Sequence, residues 1–301
     1  MWNERLGFAC VIAGRKDLRA SDRRRPQNSP HLRTSIENLF AVLDYLQELD
    51  IRVFRLPSDF VPFSTHPDYP ELNWKRQIKE AAPELALLRQ RLQEQPVRLS
   101  FHPGQYVVLN SPRPAVVRSS LEEIRWQCRL LDLIGQPPEA RVLVHVGGVY
   151  EDRPAARERM RRQLHALPNY IRARLALEND DRLWNAREVA ELCSEAGIPA
   201  IFDLHHHACH SDGEHWLPAL SRALQTWNGL RPKIHLSSPR LQEPLKLRAH
   251  ADYIDPWLWQ RFRERVEEAG LPEFDVMLEA KAKELAVLRL REEETSPGSL
   301  P

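Results

Sequence analysis

The feature that most constrains the fold is a series of short hydrophobic runs that each end in a residue able to bind a metal ion. Six of these runs follow one another along the chain, and their final residues are His102, His145, Glu178, Asp203, His235 and Glu279. Because the carboxyl ends of parallel strands lie on the same side of a sheet or barrel, we expect these side chains to meet. The pattern predicts one charged mouth at the ends of buried parallel strands.

Eight strand-like runs alternate with longer segments in which apolar residues recur every three or four positions, as in amphipathic helices. The runs are Leu6–Ile12, Ile51–Leu56, Val97–Phe101, Arg141–Val146, Arg174–Leu177, Ala200–Leu204, Lys233–Leu236 and Phe274–Leu278. They predict a single-domain α/β fold, the (β/α)8 TIM barrel, with its active site at the carboxyl ends of the strands. The alternative is a doubly wound open sheet, which would gather ligands at one switch point only.

The predicted barrel occupies residues 1–290 of the 301-residue chain. Residues 291–301 are polar and contain proline and glycine, so we expect a disordered tail there. Two long loops, residues 14–30 and 57–70, follow the first and second strands and should lie on the catalytic face of the barrel.

Composition excludes several classes of protein. A formal net charge of +1 gives no global attraction to a polyanion, so any contact with nucleic acid needs a local basic patch. The four cysteines are widely spaced, as expected of reduced thiols in a cytosolic protein. No signal peptide or membrane span is evident. We expect a soluble cytoplasmic protein with no membrane contact and no obligate protein partner.

The candidate metal ligands are imidazoles and carboxylates, which suit manganese, iron or zinc. The full set is His66, His102, His145, Glu178, Asp203, His206, His235, His250 and Glu279. Nine groups exceed the coordination of one ion, so two or three divalent ions are expected. Clustered ions can clamp the attacking and leaving oxygens of a phosphoryl displacement and generate hydroxide at neutral pH.

Some candidates are less certain than the strand-end residues. His66 and His250 are expected in loops, where spacing alone does not decide their role. In the H-H-H run from His205 to His207, strand alternation would turn only some of the side chains inward. Because Asp203 and His206 form a D-x-x-H pair, we select these two and treat His205 and His207 as neighbours.

Lys233 lies two residues before His235 and should share its inward-facing side of the strand. Its amine would be a charge partner for the carboxylates. A second hypothesis is that the amine takes up carbon dioxide and serves as a carboxylate-like ligand.

Several longer motifs resemble those of the UV damage endonuclease family, whose barrel is related to endonuclease IV and xylose isomerase. They are R-L-G-F from Arg5, F-R-L-P-S-D-F-V-P-F-S-T-H-P from Phe54, L-S-F-H-P-G-Q-Y from Leu99, V-H-V-G-G, L-E-N-D-D, F-D-L-H-H-H, K-I-H-L-S-S-P and M-L-E-A-K. The segment ending at His66 and the L-S-F-H-P-G-Q-Y motif are the most specific, and the matches run almost from end to end.

The resemblance implies a DNA repair endonuclease that nicks damaged double-stranded DNA immediately 5′ of UV photoproducts and other distorting lesions. A trinuclear cluster, typically of manganese, would activate hydroxide and leave 3′-OH and 5′-phosphate ends; zinc, cobalt or magnesium are alternatives. The family's ligands fall on all nine positions, with Glu178, Glu279, Lys233 and His235 as catalytic residues. Such an enzyme would associate with the nucleoid during repair.

The resemblance also implies DNA-contacting residues. Gln105 and Tyr106 match the pair that probes the duplex at the lesion, where an amide can replace lost base-pair hydrogen bonds and a ring can fill the gap. Phe8 stands where the family often has tyrosine, and it is expected near the metals and the scissile phosphate.

A basic segment after the first strand is expected to bind phosphates. Residues 15–25 contain five arginines and a lysine, and the selected contacts are Arg15, Lys16, Arg23, Arg24 and Arg25.

Three alternative functions share parts of this pattern. An abasic-site endonuclease of the endonuclease IV type would use the same chemistry without needing Gln105 and Tyr106. A sugar isomerase would use two metals in a small closed pocket, which the arginine-rich loop argues against. A DNA-binding module without catalysis would have no use for nine ligands around one mouth.

Overall fold

Eight parallel strands form a closed barrel in the computed structural model, which describes residues 4–241 and 246–295. The strands in chain order are β1 Arg5–Ala9, β2 Val53–Arg55, β3 Arg98–Ser100, β4 Val142–His145, β5 Leu175–Glu178, β6 Ala200–Ile201, β7 Lys233–Leu236, β8 Pro239–Arg240, β9 Lys246–His250 and β10 Asp275–Leu278. All but β8 and β9 belong to the barrel.

Closure of the barrel joins two arcs of hydrogen-bonded strands. One arc has the order β3-β2-β1-β10-β7 and the other has the order β4-β5-β6. Parallel bridges between Phe101 and Val142 and between Asp203 and His235 connect the arcs. The predicted (β/α)8 barrel is therefore confirmed, and the strand ends that carry the candidate ligands lie around one rim.

Helices surround the barrel and begin and end at residues that local chemistry favours. They are α1 Leu32–Glu48, α2 Trp74–Glu80, α3 Ala82–Glu94, α4 Pro114–Leu133, α5 Arg153–Ala166, α6 Asn169–Arg172, α7 Ala186–Ala196, α8 Leu204–Cys209, α9 Trp216–Gln225, α10 Pro256–Glu268 and α11 Glu284–Thr295. In α7, Asn185 and Glu188 form a reciprocal capping box, and Gly197 ends the helix with a φ of 66°.

Successive side chains along each strand point alternately toward the surrounding helices and toward the interior of the barrel. On β1, Leu6 and Phe8 join the large core shared with the helices, whereas Ala9 packs in a small cluster with Val53 and Met277. At the amino-terminal ends of the strands, the buried carboxylate of Asp275 pairs with arginines. Its partners are Arg5, Arg98 and Arg231.

The structure differs from the sequence-based expectation in three places. The predicted sixth strand stops at Ile201, and helix α8 begins at Leu204 with Asp203 as its N-cap. An unpredicted hairpin of β8 and β9 follows β7 and places His250 at a strand end. Helix α11 continues to Thr295, so the prediction of disorder is wrong for 291–295. The apolar residues that precede them already form a helix packed on the core, and this helix extends through 291–295. Residues 296–301 lie outside the described residues.

Within the described residues, none of the helices has the length and apolar character that a membrane span requires.

Candidate metal centre and its rim

The candidate ligands converge on one carboxylate, Glu178, at the end of β5. Three groups of potential ligand atoms, each lying within 4.8 Å of one another, share this residue. They are His102, His145 and Glu178; Glu178, Asp203 and His206; and Glu178, His235 and Glu279. The strand-end residues thus form one continuous set of potential ligands, and Glu178 is common to all three groups.

Glu178 is fully buried and surrounded by imidazoles. Its Oε1 lies 2.6 Å from Nδ1 of His235, and its Oε2 lies 3.0 Å from Nε2 of His102 and 3.8 Å from Nε2 of His145. Burial alone would raise the pKa of Glu178, but the charges and hydrogen bonds of these histidines outweigh it and hold the pKa well below its usual range. The carboxylate is therefore ionised and suited to a cation.

The β5 and β6 ends are braced by Asn179, which the sequence reasoning did not select. Its side chain accepts from the backbone N–H of Asp203 at 2.9 Å and donates to the carbonyl of Asp203 at 3.0 Å. The backbone carbonyl oxygen of Asn179 lies 2.9 Å from Nδ1 of His206. This contact orients the His206 ring, as partners of metal-ligating histidines usually do. The only signal in the sequence was its position directly after Glu178.

Helix α8 decides the geometry of the H-H-H run. Asp203 caps the helix by accepting from the backbone N–H of His206 at 2.7 Å, so the three histidines are helical rather than extended. His206 belongs to this set of potential ligands, whereas His205 and His207 are buried beside it. Burial opposes the charged form of His206, but Asp203 and Glu178 raise its pKa to about 9.

Glu279, after β10, is held by a cation that the sequence reasoning missed. Nη1 of Arg55, the last residue of β2, donates to Oε1 of Glu279. Despite its burial, the pKa of Glu279 is lowered by Arg55 and His235. His250 approaches from the hairpin: its Nε2 lies 3.9 Å from Glu279 Oε2, and its Nδ1 lies 2.7 Å from Oγ of Ser237. The predicted second strand ran to Leu56, so Arg55 lay within it, and as a cation Arg55 was not sought as a ligand.

Lys233 lies in the barrel interior below these ligands. It shares the inward side of β7 with His235, as predicted, and both are fully buried. Its amine donates to Oγ of Ser100 at 2.8 Å. Burial lowers the pKa of Lys233 well below its ordinary value, and the nearby charges of Arg98 and Arg55 lower it further.

The donor set fits divalent metal ions. Bonds of about 2.0–2.2 Å to one ion hold its ligand atoms roughly 3–4.4 Å apart, which agrees with the separations within the three groups. In addition, Oδ2 of Asp203 is buried without a hydrogen-bond partner among the described residues. Such an atom is costly to bury unless a cation or donor satisfies it.

Not every predicted site residue joins this centre. His66 is exposed on its loop, where its ring contacts Phe63 and Tyr69, and it belongs to none of the three ligand groups. Gln105 and Tyr106 lie three and four residues after His102 on the β3–α4 loop. Both are exposed, with Tyr106 at 59%. They therefore project from the rim next to the ligands.

Phe8 is not part of the rim, contrary to the expectation from the sequence. Its side chain is 0% exposed and packs edge-to-face on Phe54, with ring centroids 5.2 Å apart. The reason is strand alternation: the neighbouring Ala9 faces the opposite side of β1, with Val53 and Met277. A buried ring on the helix side of the barrel is not accessible to a DNA strand.

Three of the six cations in the proposed phosphate-binding segment, residues 15–25, form ion pairs with carboxylates. Arg15 pairs with Asp17 at 2.7 Å, Arg23 with Asp59 at 3.1 Å, and Arg24 with Asp22 at 2.6 Å. The remaining cations of the segment are Lys16, Arg19 and Arg25, and they are exposed. These three are the cations best placed to meet phosphates.

The sequence is similar to one family of known proteins. A family model described as UV-endonuclease UvdE matches residues 12–297. The UV DNA damage endonuclease of Bacillus cereus (strain G9842) is 33% identical over 267 residues, which cover 87% of this chain and 81% of that protein.

Solved structures give the same result for the fold. The crystal structure of SacUVDE superposes with a TM-score of 0.85 at 29% identity, covering 98% of this chain and 99% of that one. Endonuclease IV from Thermus thermophilus superposes with a TM-score of 0.57 at 16% identity, covering 97% and 98% of the two chains, and shares the fold.

Proposed function

The chain belongs to the UV-endonuclease UvdE family, and on this basis we propose that it nicks DNA immediately 5′ of UV photoproducts and other distorting lesions. The products are a 3′-OH and a 5′-phosphate. The cofactor is a cluster of two or three divalent ions, with manganese as the proposed metal. The observation that carries the proposal is the convergence of three ligand groups on buried Glu178, next to the exposed Gln105–Tyr106 pair.

The proposed ligands are the nine imidazoles and carboxylates named from the sequence, of which His66 would have to move inward with its loop. When bound, the ions supply hydroxide at neutral pH and neutralise charge on the phosphodiester. Glu178 and Glu279 hold the cluster, and Asn179 and Ser237 orient the rings of His206 and His250.

Arg55 places a further cation, and Lys233 a buried amine, close to the carboxylates. By pairing with Glu279, Arg55 keeps that side chain in one position and balances part of its negative charge. The fully buried amine of Lys233, fixed by Ser100, adds a donor beneath the ligands. These contacts pre-organise the site before DNA arrives, which limits the rearrangement needed for reaction.

The Gln105–Tyr106 pair is proposed to test the duplex for disrupted base pairing. The Tyr106 ring folds against the backbone of its own loop, since a Cβ atom on Gly104 would lie 2.5 Å from Cε1 of Tyr106. A side chain that is 59% exposed and supported in this way can enter a gap in the base stack.

The test is to incubate the protein and manganese with three duplexes that differ only at one position: a photoproduct, an abasic site or an intact pair. We expect one nick immediately 5′ of the photoproduct, and its loss on chelation. Tyr106→Ala should lower cleavage of the photoproduct duplex selectively. Cleavage confined to the abasic duplex would replace our proposal with the endonuclease IV type of activity, and no cleavage of the photoproduct duplex by metal-loaded protein would refute it.

A further inference from the structure

A second exposed aromatic ring lies on the rim, on the loop that follows β4. Tyr150 is 41% exposed and comes five residues after His145, before α5 begins at Arg153. Its loop therefore lies at the carboxyl ends of the strands, as does the loop that carries Tyr106. Neither the proposed metal binding nor the proposed role of Gln105 and Tyr106 explains why an exposed aromatic ring lies at this position.

Two contacts hold the Tyr150 ring in place. The guanidinium of Arg159 lies 5.4 Å from the ring centroid. A Cβ atom on Gly148 would lie 3.1 Å from Cε2 and Cζ of Tyr150, so the ring packs directly on that backbone. A ring supported in this way loses little side-chain freedom when it binds a partner.

The supports of Tyr150 also tie its loop to the loop of Tyr106. Nε of Arg159 donates to the carbonyl of Asn110 at 2.9 Å, and the side chain of Asn110 donates to the carbonyl of Gly148 at 2.8 Å. Asn110 lies on the β3–α4 loop. The two exposed tyrosines thus stand on adjacent loops that hydrogen bonds hold together.

The backbone at Tyr150 is strained. Tyr150 and Glu151 have φ values of 51° and 62°, a left-handed conformation that is costly for residues other than glycine. Such strain persists only where the surroundings impose it, and here the ring stays exposed while it contacts the backbone of Gly148 and the guanidinium of Arg159.

The charges beside Tyr150 select the kind of contact it can make. Glu151 and Asp152 are exposed and follow it directly, so they would repel a phosphate backbone. An uncharged base has no such penalty, and every base offers a face to an aromatic ring. In an intact duplex these faces are covered by stacking, whereas a distorting lesion uncovers them.

We propose that Tyr150 is a second lesion-reading residue, which stacks on a base that the damage has unstacked. This inference rests on the proposed function and extends it from one loop to two. Tyr106 and Tyr150 would then engage the distorted region from adjacent parts of the rim, and their contacts would favour damaged over undamaged duplex.

The test uses the manganese-loaded full chain and measures KM and kcat for nicking a photoproduct duplex, with an identical undamaged duplex as competitor. Tyr150→Asn removes the ring but tolerates the left-handed backbone, and Tyr150→Phe retains the ring. The matched control is Tyr170→Asn, because Tyr170 is 46% exposed on α6, which precedes β5 and lies at the opposite end of the barrel.

We expect Tyr150→Asn to raise KM roughly ten-fold, within the range of one base–aromatic contact, without changing the inhibition constant of the undamaged duplex. Tyr150→Phe and Tyr170→Asn should behave like the unmodified chain. An unchanged KM in Tyr150→Asn, or equal weakening toward the undamaged duplex, overturns the inference while leaving the proposed function intact. Failure of the unmodified chain to nick the photoproduct duplex overturns both.

Discussion

Oε1 of Glu178 lies 2.6 Å from Nδ1 of His235, and both side chains are fully buried at the carboxyl ends of adjoining parts of the barrel. This contact lies within the ligand group of Glu178, His235 and Glu279, and Glu178 also belongs to the other two groups. Changes at Glu178 should therefore affect the whole centre.

We expect Glu178→Gln to reduce bound manganese and to lower nicking activity by at least about 100-fold, beyond the usual effect of losing a residue that only orients a ligand. The amide keeps the shape of the side chain but lacks the negative charge that attracts cations. Metal content per chain by mass spectrometry and initial nicking rates measure the two effects.

Glu284→Gln is the matched control, because Glu284 is also 0% exposed but binds the backbone N–H groups of Ala13 and Gly14 and belongs to none of the three ligand groups. Normal metal content in Glu178→Gln, or an equal loss of metal in Glu284→Gln, would contradict the assignment of Glu178 as the shared ligand.

The buried amine of Lys233 leads to a prediction about modification. If it takes up carbon dioxide and acts as a carboxylate-like ligand, intact-protein mass spectrometry under mild conditions should show an added mass of one carbon dioxide, lost on acidification. Lys233→Met should remove the added mass. Its persistence in Lys233→Met, or an unmodified mass in the active metal-loaded enzyme, would leave Lys233 as an unmodified amine.

Asp275 should set the acid limit of folding at the amino-terminal end of the barrel. Burial would raise its pKa, but Arg98 and Arg5 outweigh burial and hold the pKa below its ordinary value. Its contribution to stability is thus complete above the unfolded aspartate pKa of about 3.9 and is lost as the pH falls through the lower folded value.

Asp275→Asn should lower the free energy of unfolding by about 3 kcal/mol near neutral pH, because buried Arg98 loses its charged partner. Urea denaturation as a function of pH measures this, and the acid-dependent loss should shrink in the variant. Asp17→Asn, which changes an exposed pair with Arg15, is the control and should have no measurable effect. An Asp275→Asn variant as stable as the unmodified chain would refute the prediction.

Phe8→Tyr should not improve nicking, because the ring faces the helix-side core and not the ligands. A hydroxyl inserted into this packed site should lower the free energy of unfolding by about 1–3 kcal/mol. Phe40→Tyr, on a half-buried position of α1, is the comparison and should cost less. Faster nicking by Phe8→Tyr would show that the ring reaches the centre when DNA binds.

Lys16, Arg19 and Arg25 should supply most of the phosphate contacts of the basic segment, since Arg15, Arg23 and Arg24 are paired with carboxylates. Two of these three cations are replaced in the test. The double variant Lys16→Gln/Arg25→Gln should bind duplex DNA more weakly and reduce the slope of log K against log salt by about two. Arg52→Gln, exposed before β2 at the opposite end, should leave the slope unchanged. An unaltered slope in the double variant would show that this segment does not bind phosphates.

The convergence of the strand-end imidazoles and carboxylates was largely predictable because it depends on strand periodicity. His145 and Glu178 end β4 and β5 in register with each other, so their identification required only that each strand be located. The same pattern contained Arg55 and Asn179, but their roles depend on Glu279 and Asp203, which lie far away in sequence.

Loops and helix starts were less predictable, because no repeating pattern constrains them. His66 has a suggestive sequence context, yet its loop places it in solvent next to Phe63 and Tyr69. His205 and His207 depend on where α8 begins, which the cap at Asp203 decides.

By itself the sequence determined the barrel and the residue types at its mouth, since hydrophobic period and strand-end position are local properties of the chain. Only the tertiary structure decided which side of β1 carries Phe8, which arginines are already paired, and that Tyr150 stands beside the loop of Tyr106. These features depend on register, loop path and contacts between residues distant in sequence. In a barrel, such contacts form only when all the strands close together.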